Sequence, residues 1–279
     1  MNINEMYANA CKNLYLRGEE TSPRGQKTKE ILNFQMKMET PGWYWITLKS
    51  RKCNFRFAII ESLCNLLGQN DPEILCFYNP NLKHFVNEKT GDFNGAYGPR
   101  VASFVEKIIE ELKRDPDSRR AVINIYNSSD CYEGNSDVPC TVALQFFIRN
   151  AKLCMTVFMR SNDVLWGTGY DLGQFRFIQK SIAHLLGLQE GTYTHNATSF
   201  HYYVEREKSI LDIIANQSEV VEFNPPEFSE KIKTYDDLQK QISRFFKYEE
   251  KFRKNNETVL ITGLLEPFDY FYKIVTRQI

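Results

Sequence analysis

Two kinds of periodicity stand side by side in the middle of this chain, and together they leave few architectures open. Thr141 to Met159 is a β-rich run, with β-branched and aromatic residues on both sides of a break at Arg149-Asn150 in the manner of a hairpin. From about Asp171 to Leu186 the sequence predicts a long helix, closed by Gly187, a residue free to take the left-handed conformation that ends helices. A strand pair running directly into a long helix favours a sheet covered by helices.

The same alternation of periods continues in both directions. Leu32, Phe34, Met36 and Met38 alternate with polar residues, as in a half-buried strand. Phe55 to Leu67 reads as a helix stopped by Gly68, with Glu61, Ser62 and Asn65 interrupting its apolarity. Val101, Phe104, Val105, Ile108, Ile109 and Leu112 form one helical stripe that ends at Asp115-Pro116. Further strands are predicted over Ala121 to Tyr126 and Thr192 to Tyr203, and helices over Glu205 to Ala215 and Tyr235 to Arg253. The class is α+β. No repeat, low-complexity tract or linker divides the chain, so residues 1–279 read as a single domain. Phe268, Tyr270, Phe271 and Tyr272 read as packing aromatics.

Composition narrows the function classes. Thirty-five basic residues balance thirty-five acidic ones, which argues against a basic face for a stable nucleic-acid partner. No apolar run reaches membrane-spanning length, and the first residues are too charged for a signal peptide, so the expectation is a cytoplasmic protein without a membrane partner. Seven cysteines with no C-x-x-C pair and four scattered histidines point to neither a disulfide framework nor a metal site.

The chemistry-bearing residues concentrate between Asp137 and Asp171. Pro139-Cys140 opens a strand, and Arg160-Ser161-Asn162-Asp163 follows the next one. A free thiol, an arginine and a carboxylate near strand ends suit a nucleophile acting on an anionic substrate. Each signal alone is weak: a lone cysteine is more often a small buried residue, and Arg119-Arg120 on a loop is more often solvated. Arg24 sits in the turn Ser22-Pro23-Arg24-Gly25, where the glycine would let the backbone approach an anion.

Taken together, these segments resemble the thymidylate synthase superfamily. The likeness covers about Arg24 to Tyr203 and includes the Pro139-Cys140 pair, Arg160-Ser161-Asn162-Asp163, the Phe200-His201-Tyr202-Tyr203 segment, Glu61 in its helix, and Gly91 to Gly98 with Tyr97. It implies a three-layer α/β sandwich that dimerises through its sheet. It implies Cys140 as nucleophile, with Glu61 and Tyr97 in proton transfer and Arg160 helping to keep the thiol ionised. Arg24, Arg160 and Ser161 would bind phosphate together with Arg119 and Arg120 of the second subunit. His201 and Tyr203 would hold the sugar, and Asp163, Gly167, Tyr170 and Lys83 would face 5,10-methylenetetrahydrofolate.

Two positions depart from the synthases. Where they read uracil with an asparagine this chain has Asp171, and an ionised carboxylate only accepts hydrogen bonds, which suits the cytosine amino group and a protonated N3. Where they have a tryptophan on the folate side this chain has Lys83, a more polar wall that would admit water. Both departures resemble the cytidylate hydroxymethylases, and the expected reaction is 5-hydroxymethylation of dCMP. The same reaction on CMP and true uridylate methylation are the competing enzyme readings. An inactive relative that binds nucleotide or RNA is the reading from another class. Ser161 beside Arg160 matches the deoxynucleotide enzymes and leans the sugar choice toward dCMP.

Overall fold

The computed structural model describes residues 2–39, 45–132, 134–135 and 137–279. In chain order the elements are α1 (Ile3–Arg17), β1 (Glu19–Thr21), β2 (Thr28–Met38), α2 (Phe55–Leu67), α3 (Pro72–Tyr78), α4 (Gly98–Arg114), β3 (Val122–Asn124), β4 (Thr141–Arg149), β5 (Lys152–Met159), β6 (Asn162–Asp163), α5 (Gly169–Leu186), β7 (Gln189–Tyr203), α6 (Glu207–Ala215), α7 (Tyr235–Asn255) and α8 (Phe268–Val275). The strands form one sheet in the order β1-β2-β7-β5-β4-β3, with β6 beside β7. All neighbours are antiparallel except the β5–β7 and β6–β7 pairs.

Helices cover one face of the sheet in two tiers. The inner tier is α1 on β2, α4 on β3 and β4, and α5 on β5 and β7; α2 packs on α4 and α5, and α7 and α8 in turn pack on α2. Sheet, inner helices and outer helices make the three layers. Helix α5 is buried nearly all round, because it lies between the sheet and α2. That sandwiching explains why a helix with Gln174, Arg176 and Gln179 on its buried surface still forms: each of these finds a buried polar partner.

The other sheet face is part-exposed in the single chain. It carries Gln35, Gln145, Thr156 and Asn196 together with Leu32 and Phe158, which are 64% and 40% exposed. Strand β2 extends beyond the predicted alternation in both register and length, and at Asn33, whose φ is 56°, the in/out alternation slips within an unbroken register to β7, so that Leu32 is exposed while Met36 and Met38 are buried.

Three elements were not legible as such. Helix α1 shows only a weak apolar stripe, and α3 and α8 are each short. The strand expected over Ala121 to Tyr126 shrinks to Val122–Asn124, and a 3-10 turn at Val204–Arg206 delays α6 to Glu207. Phe268, Phe271 and Tyr272 are buried as expected, whereas Tyr270 is half-buried. The C-terminal helices also clamp α2 and α3: Arg56 Nε of α2 donates to the Val275 carbonyl at 2.7 Å, and Tyr78 of α3 donates to Glu249 Oε1 at 2.8 Å. Among the described residues no helix is long and apolar enough to cross a membrane.

Candidate active site

The site lies where β4, β5, β6, β7, α2, α4 and α5 converge. Cys140 precedes β4, and its carbonyl accepts from the Arg160 amide at 2.8 Å, so the cysteine and the arginine after β5 are joined through the ladder. Arg160 folds back over it. Its Nε donates to the Pro139 carbonyl and its Nη2 to the Val138 carbonyl, both at 2.9 Å, which leaves Nη2 3.8 Å from Cys140 Sγ. Arg160 is the strongest influence drawing the thiol toward ionisation, the direction expected of it. Burial pushes the Cys140 thiol above its ordinary value, and the opposing pull of Arg160 does not outweigh it, because Asp171 and Asp137 push the same way as burial.

Tyr97 enters from the start of α4. The Thr141 amide donates to its hydroxyl at 3.3 Å, and its ring stacks on Phe175. The segment before it is pinned twice: the Gly95 amide donates to Asp137 Oδ2 at 2.7 Å, and Arg100 reaches the Asn94 carbonyl while pairing with Asp130. The residue after it must be glycine. A Cβ on Gly98 would fall 2.2 Å from the Gln69 carbonyl oxygen at the end of α2. Burial, then Asp171 and Cys140, hold the Tyr97 hydroxyl well above the usual phenol range.

Glu61 projects from the middle of α2. Its Oε2 is enclosed with no hydrogen-bond partner, and burial with the nearby Asp171 charge pushes its pKa up to about 8. A carboxyl group that is protonated at neutral pH and has a free oxygen is suited to carrying a proton to and from a substrate.

Asp171, in the first turn of α5, is buried and held on both sides. Asn162 Nδ2 donates to its Oδ2 at 2.7 Å and Gln174 Nε2 donates to its Oδ1 at 2.9 Å. Burial raises its pKa to about 6; the two amide donors pull it down without cancelling the burial. Gln174 is itself fixed by Asn65 of α2, and Asn162 by Thr168 and His195. Sequence reasoning missed Asn65, Gln174 and His195, and met Asn162 only as a letter in a motif. One signal was available for His195: it takes an inward position in the alternation of β7, where a polar side chain needs an internal partner.

The remaining expected residues divide into two groups. His201 and Tyr203 end β7 with rings 5.8 Å apart, and Ser161 lies half-buried beside Arg160. Arg24 is exposed at a left-handed φ of 51°, and its charge still reaches Cys140. Asp163 accepts from the Leu165 and Trp166 amides through Oδ1, while its Oδ2 is enclosed and unpartnered. Tyr170 receives the Asn54 amide and carries the Arg51 guanidinium over its ring. Gly167 lies against the pair just described: a Cβ there would sit 3.0 Å from both Asn162 Nδ2 and Asp171 Oδ2. Lys83 is exposed in a 3-10 turn, and the thiol it influences is Cys76 of α3.

Arg119 and Arg120 stand apart. Both are exposed just before β3, where the Ala121 carbonyl accepts from the Phe146 amide. Cys140 to Phe146 is about 20 Å of extended chain, so these arginines sit at the far end of β4 from their own nucleophile.

A folate can be tested against the donors present. Asp163 Oδ2 and Arg51 Nε are both enclosed without partners on the same side as Tyr170, an orphaned acceptor and donor that fit a pterin edge and an anionic tail. Among the described residues no group of three His, Cys, Asp or Glu side chains is arranged to hold a metal ion.

A cysteine before a strand, an arginine folded over it, a buried glutamate and a buried aspartate at the start of the central helix are gathered in one place. The thymidylate synthase pattern matches residues 5–258, and the chain belongs to that family. Among its relatives is the deoxyuridylate hydroxymethyltransferase of Bacillus phage SP01, 32% identical over 219 residues, or 72% of this chain and 57% of that protein. Proteins of the same name from Delftia phage PhiW-14 and Pseudomonas phage M6 are each 32% identical, over 62% and 60% of this chain and 52% and 50% of their own lengths. The chain spans about half the length of these relatives.

Proposed function

We propose that residues 1–279 act as one domain that hydroxymethylates C5 of deoxycytidylate. Cys140, as thiolate, adds to C6 and places an electron pair at C5. Bound 5,10-methylenetetrahydrofolate supplies the one-carbon unit. Asp163, Gly167, Tyr170 and Arg51 are the residues that would hold it, with Lys83 at the rim. Tyr97 assists removal of the C5 proton, and Glu61 carries protons at the base and to the attacking water. After tetrahydrofolate departs as the leaving group, water adds to the methylene at C5, giving up a proton, and Cys140 leaves from C6 as thiolate.

The base assignment rests on Asp171, whose two oxygens already receive amide donors and which therefore presents acceptor lone pairs to the pyrimidine. An acceptor suits the N4 amino group of cytosine and repels O4 of uracil. His201 and Tyr203 hold the sugar, and Ser161 leans the choice to the deoxy form over CMP.

Deoxyuridylate is the second reading, favoured by the names of the relatives and by the pKa of Asp171. A protonated Asp171 donates to O4 and accepts from N3–H, and a pKa of about 6 keeps that form accessible. Hydroxymethylation rather than methylation is supported by the same names and by Lys83 in place of a tryptophan.

The active unit is a homodimer with shared sites. The part-exposed sheet face with Leu32 and Phe158 is the surface that would be buried between the two copies. Arg119 and Arg120, too far from their own Cys140, would reach the phosphate beside Arg24 and Arg160 of the other copy. Arginine suits that role because its planar fork matches phosphate oxygens.

The test is release of tritium from C5 of labelled dCMP, dUMP and CMP in the presence of methylenetetrahydrofolate. Fastest release from dCMP is expected. Release from dUMP alone would assign the second reading, and release from none would leave a binding protein.

A further inference from the structure

Behind Asp171 runs a buried chain of polar groups with a defined direction. Tyr193 Oη and His195 Nδ1 are 2.9 Å apart, His195 Nε2 and Asn162 Oδ1 3.0 Å, and Asn162 Nδ2 and Asp171 Oδ2 2.7 Å. Tyr193 and His195 are fully enclosed, and Asn162 nearly so. Thr168 also donates to Asn162 Oδ1, at 2.6 Å.

Only one assignment of protons satisfies every member while Asp171 is ionised. Asn162 must turn its amide nitrogen to the carboxylate, so its oxygen faces Thr168 and His195. His195 must then carry its proton on Nε2, which leaves Nδ1 to accept from the Tyr193 hydroxyl. The imidazole has to be neutral for this, and burial lowers its pKa to about 3. Were the Asn162 amide reversed, its oxygen would face the Asp171 carboxylate, and the pair would be tolerable only with Asp171 protonated. The other groups facing Asp171 do not set this orientation: Gln174 meets the opposite oxygen, while Glu61, Tyr97 and Cys140 sit on the substrate side and feel its charge. Asp163 adds a further like charge.

We propose that His195 and Asn162 are positioning residues for base choice: Tyr193 orients the imidazole, the imidazole orients the Asn162 amide, and the amide keeps Asp171 an acceptor aimed at the pyrimidine. This rests on the reading of Asp171 as the base-selecting residue. Tyr193, His195 and Asn162 are enclosed behind Asp171, so removing them acts on the ratio between bases more than on Cys140 chemistry.

The experiment compares kcat/KM for dCMP and dUMP between about pH 5 and pH 9 in the parent, Asn162→Leu, His195→Phe, His195→Gln and Tyr193→Phe. Asn162→Leu and His195→Phe are expected to lower the cytosine-to-uracil ratio about tenfold and to move its pH midpoint upward, since a carboxylate that loses a donor holds its proton longer. His195→Gln restores a donor to Asn162 and an acceptor for Tyr193, and keeps the ratio within about threefold. Tyr193→Phe removes one oxygen and no volume. It serves as the variant that folds if the others do not, with an expected drop of about threefold. An unchanged ratio in Tyr193→Phe, or in a folded Asn162→Leu, overturns the relay.

A second measurement needs no turnover. Nitrogen NMR of the imidazole is expected to show a neutral Nε2–H ring throughout that pH range, and an Nδ1–H ring would overturn the relay. If Asp171→Asn itself leaves the ratio unchanged, the base reading fails and takes the relay with it. If Asp171→Asn shifts the ratio and the relay variants do not, the relay alone fails.

Discussion

Arg160 Nη2 stands 3.8 Å from Cys140 Sγ, yet the thiol it faces lies above its ordinary pKa. The arginine is already committed to the carbonyls of Val138 and Pro139, so it positions the segment that carries the cysteine as much as it polarises the sulfur. Cys140→Ser is expected to abolish C5 hydrogen release while nucleotide binding persists, because a hydroxyl is far less ionised than a thiol. Arg160→Ala removes the main charge opposing burial, so the pH dependence of Cys140 alkylation should move to higher pH. A move to lower pH would show that the arginine does not stabilise the thiolate.

Asp171 titrates at about 6, above the ordinary aspartate range. It is an acceptor above that pH and a donor below it, so the preference for cytosine over uracil should rise as pH increases through about 6. Asp171→Asn, which offers a donor to O4 at any pH, should favour uracil and flatten this dependence. A mutant that still prefers dCMP and ignores dUMP would contradict the base assignment.

Glu61, with a pKa near 8, is protonated across the neutral range. Its folded pKa lies above its unfolded one, so the folded state binds more protons between the two values and loses stability as pH rises through that window. Glu61→Gln keeps the shape and removes the titration. Its melting temperature should therefore gain on the parent's as pH rises from about 5 to 8, and its turnover should fall about a hundredfold or more. A constant gap in melting temperature would mean that Glu61 titrates as an ordinary carboxylate.

Apart from Glu61 in the middle of α2, the candidate residues legible in the sequence sit at element ends, where Pro139-Cys140, Arg160 and the glycine before Pro99 mark strand and helix boundaries. Asp171 was legible for the same reason. What supports it was not: Asn162, Gln174, Asn65 and His195 come from β6, α5, α2 and β7, and their meeting depends on tertiary packing that no local spacing records. The fold followed the same rule. The apolar stripe of α4 and the long runs of α2 and α5, each closed by a glycine, matched their sequence signals, while α3 and α8 are short and α1 has a weak stripe, so local pattern alone did not mark them.

Arg119 and Arg120 lie about 20 Å of extended chain from Cys140, so the proposed phosphate role calls for a second copy. Arg119→Ala or Arg120→Ala should chiefly weaken nucleotide binding. Mixed with Cys140→Ser, either should recover part of the lost activity, because one site of the heterodimer then holds an intact cysteine and intact arginines. No recovery in proven heterodimers would contradict a shared site.

The most direct test of the account is the product formed from dCMP and methylenetetrahydrofolate in water enriched in heavy oxygen, with dihydrofolate absorbance followed in the same cuvette. The account predicts a 5-hydroxymethyl nucleotide whose new oxygen comes from the solvent, with no dihydrofolate formed. A 5-methyl product with an equivalent of dihydrofolate would contradict it.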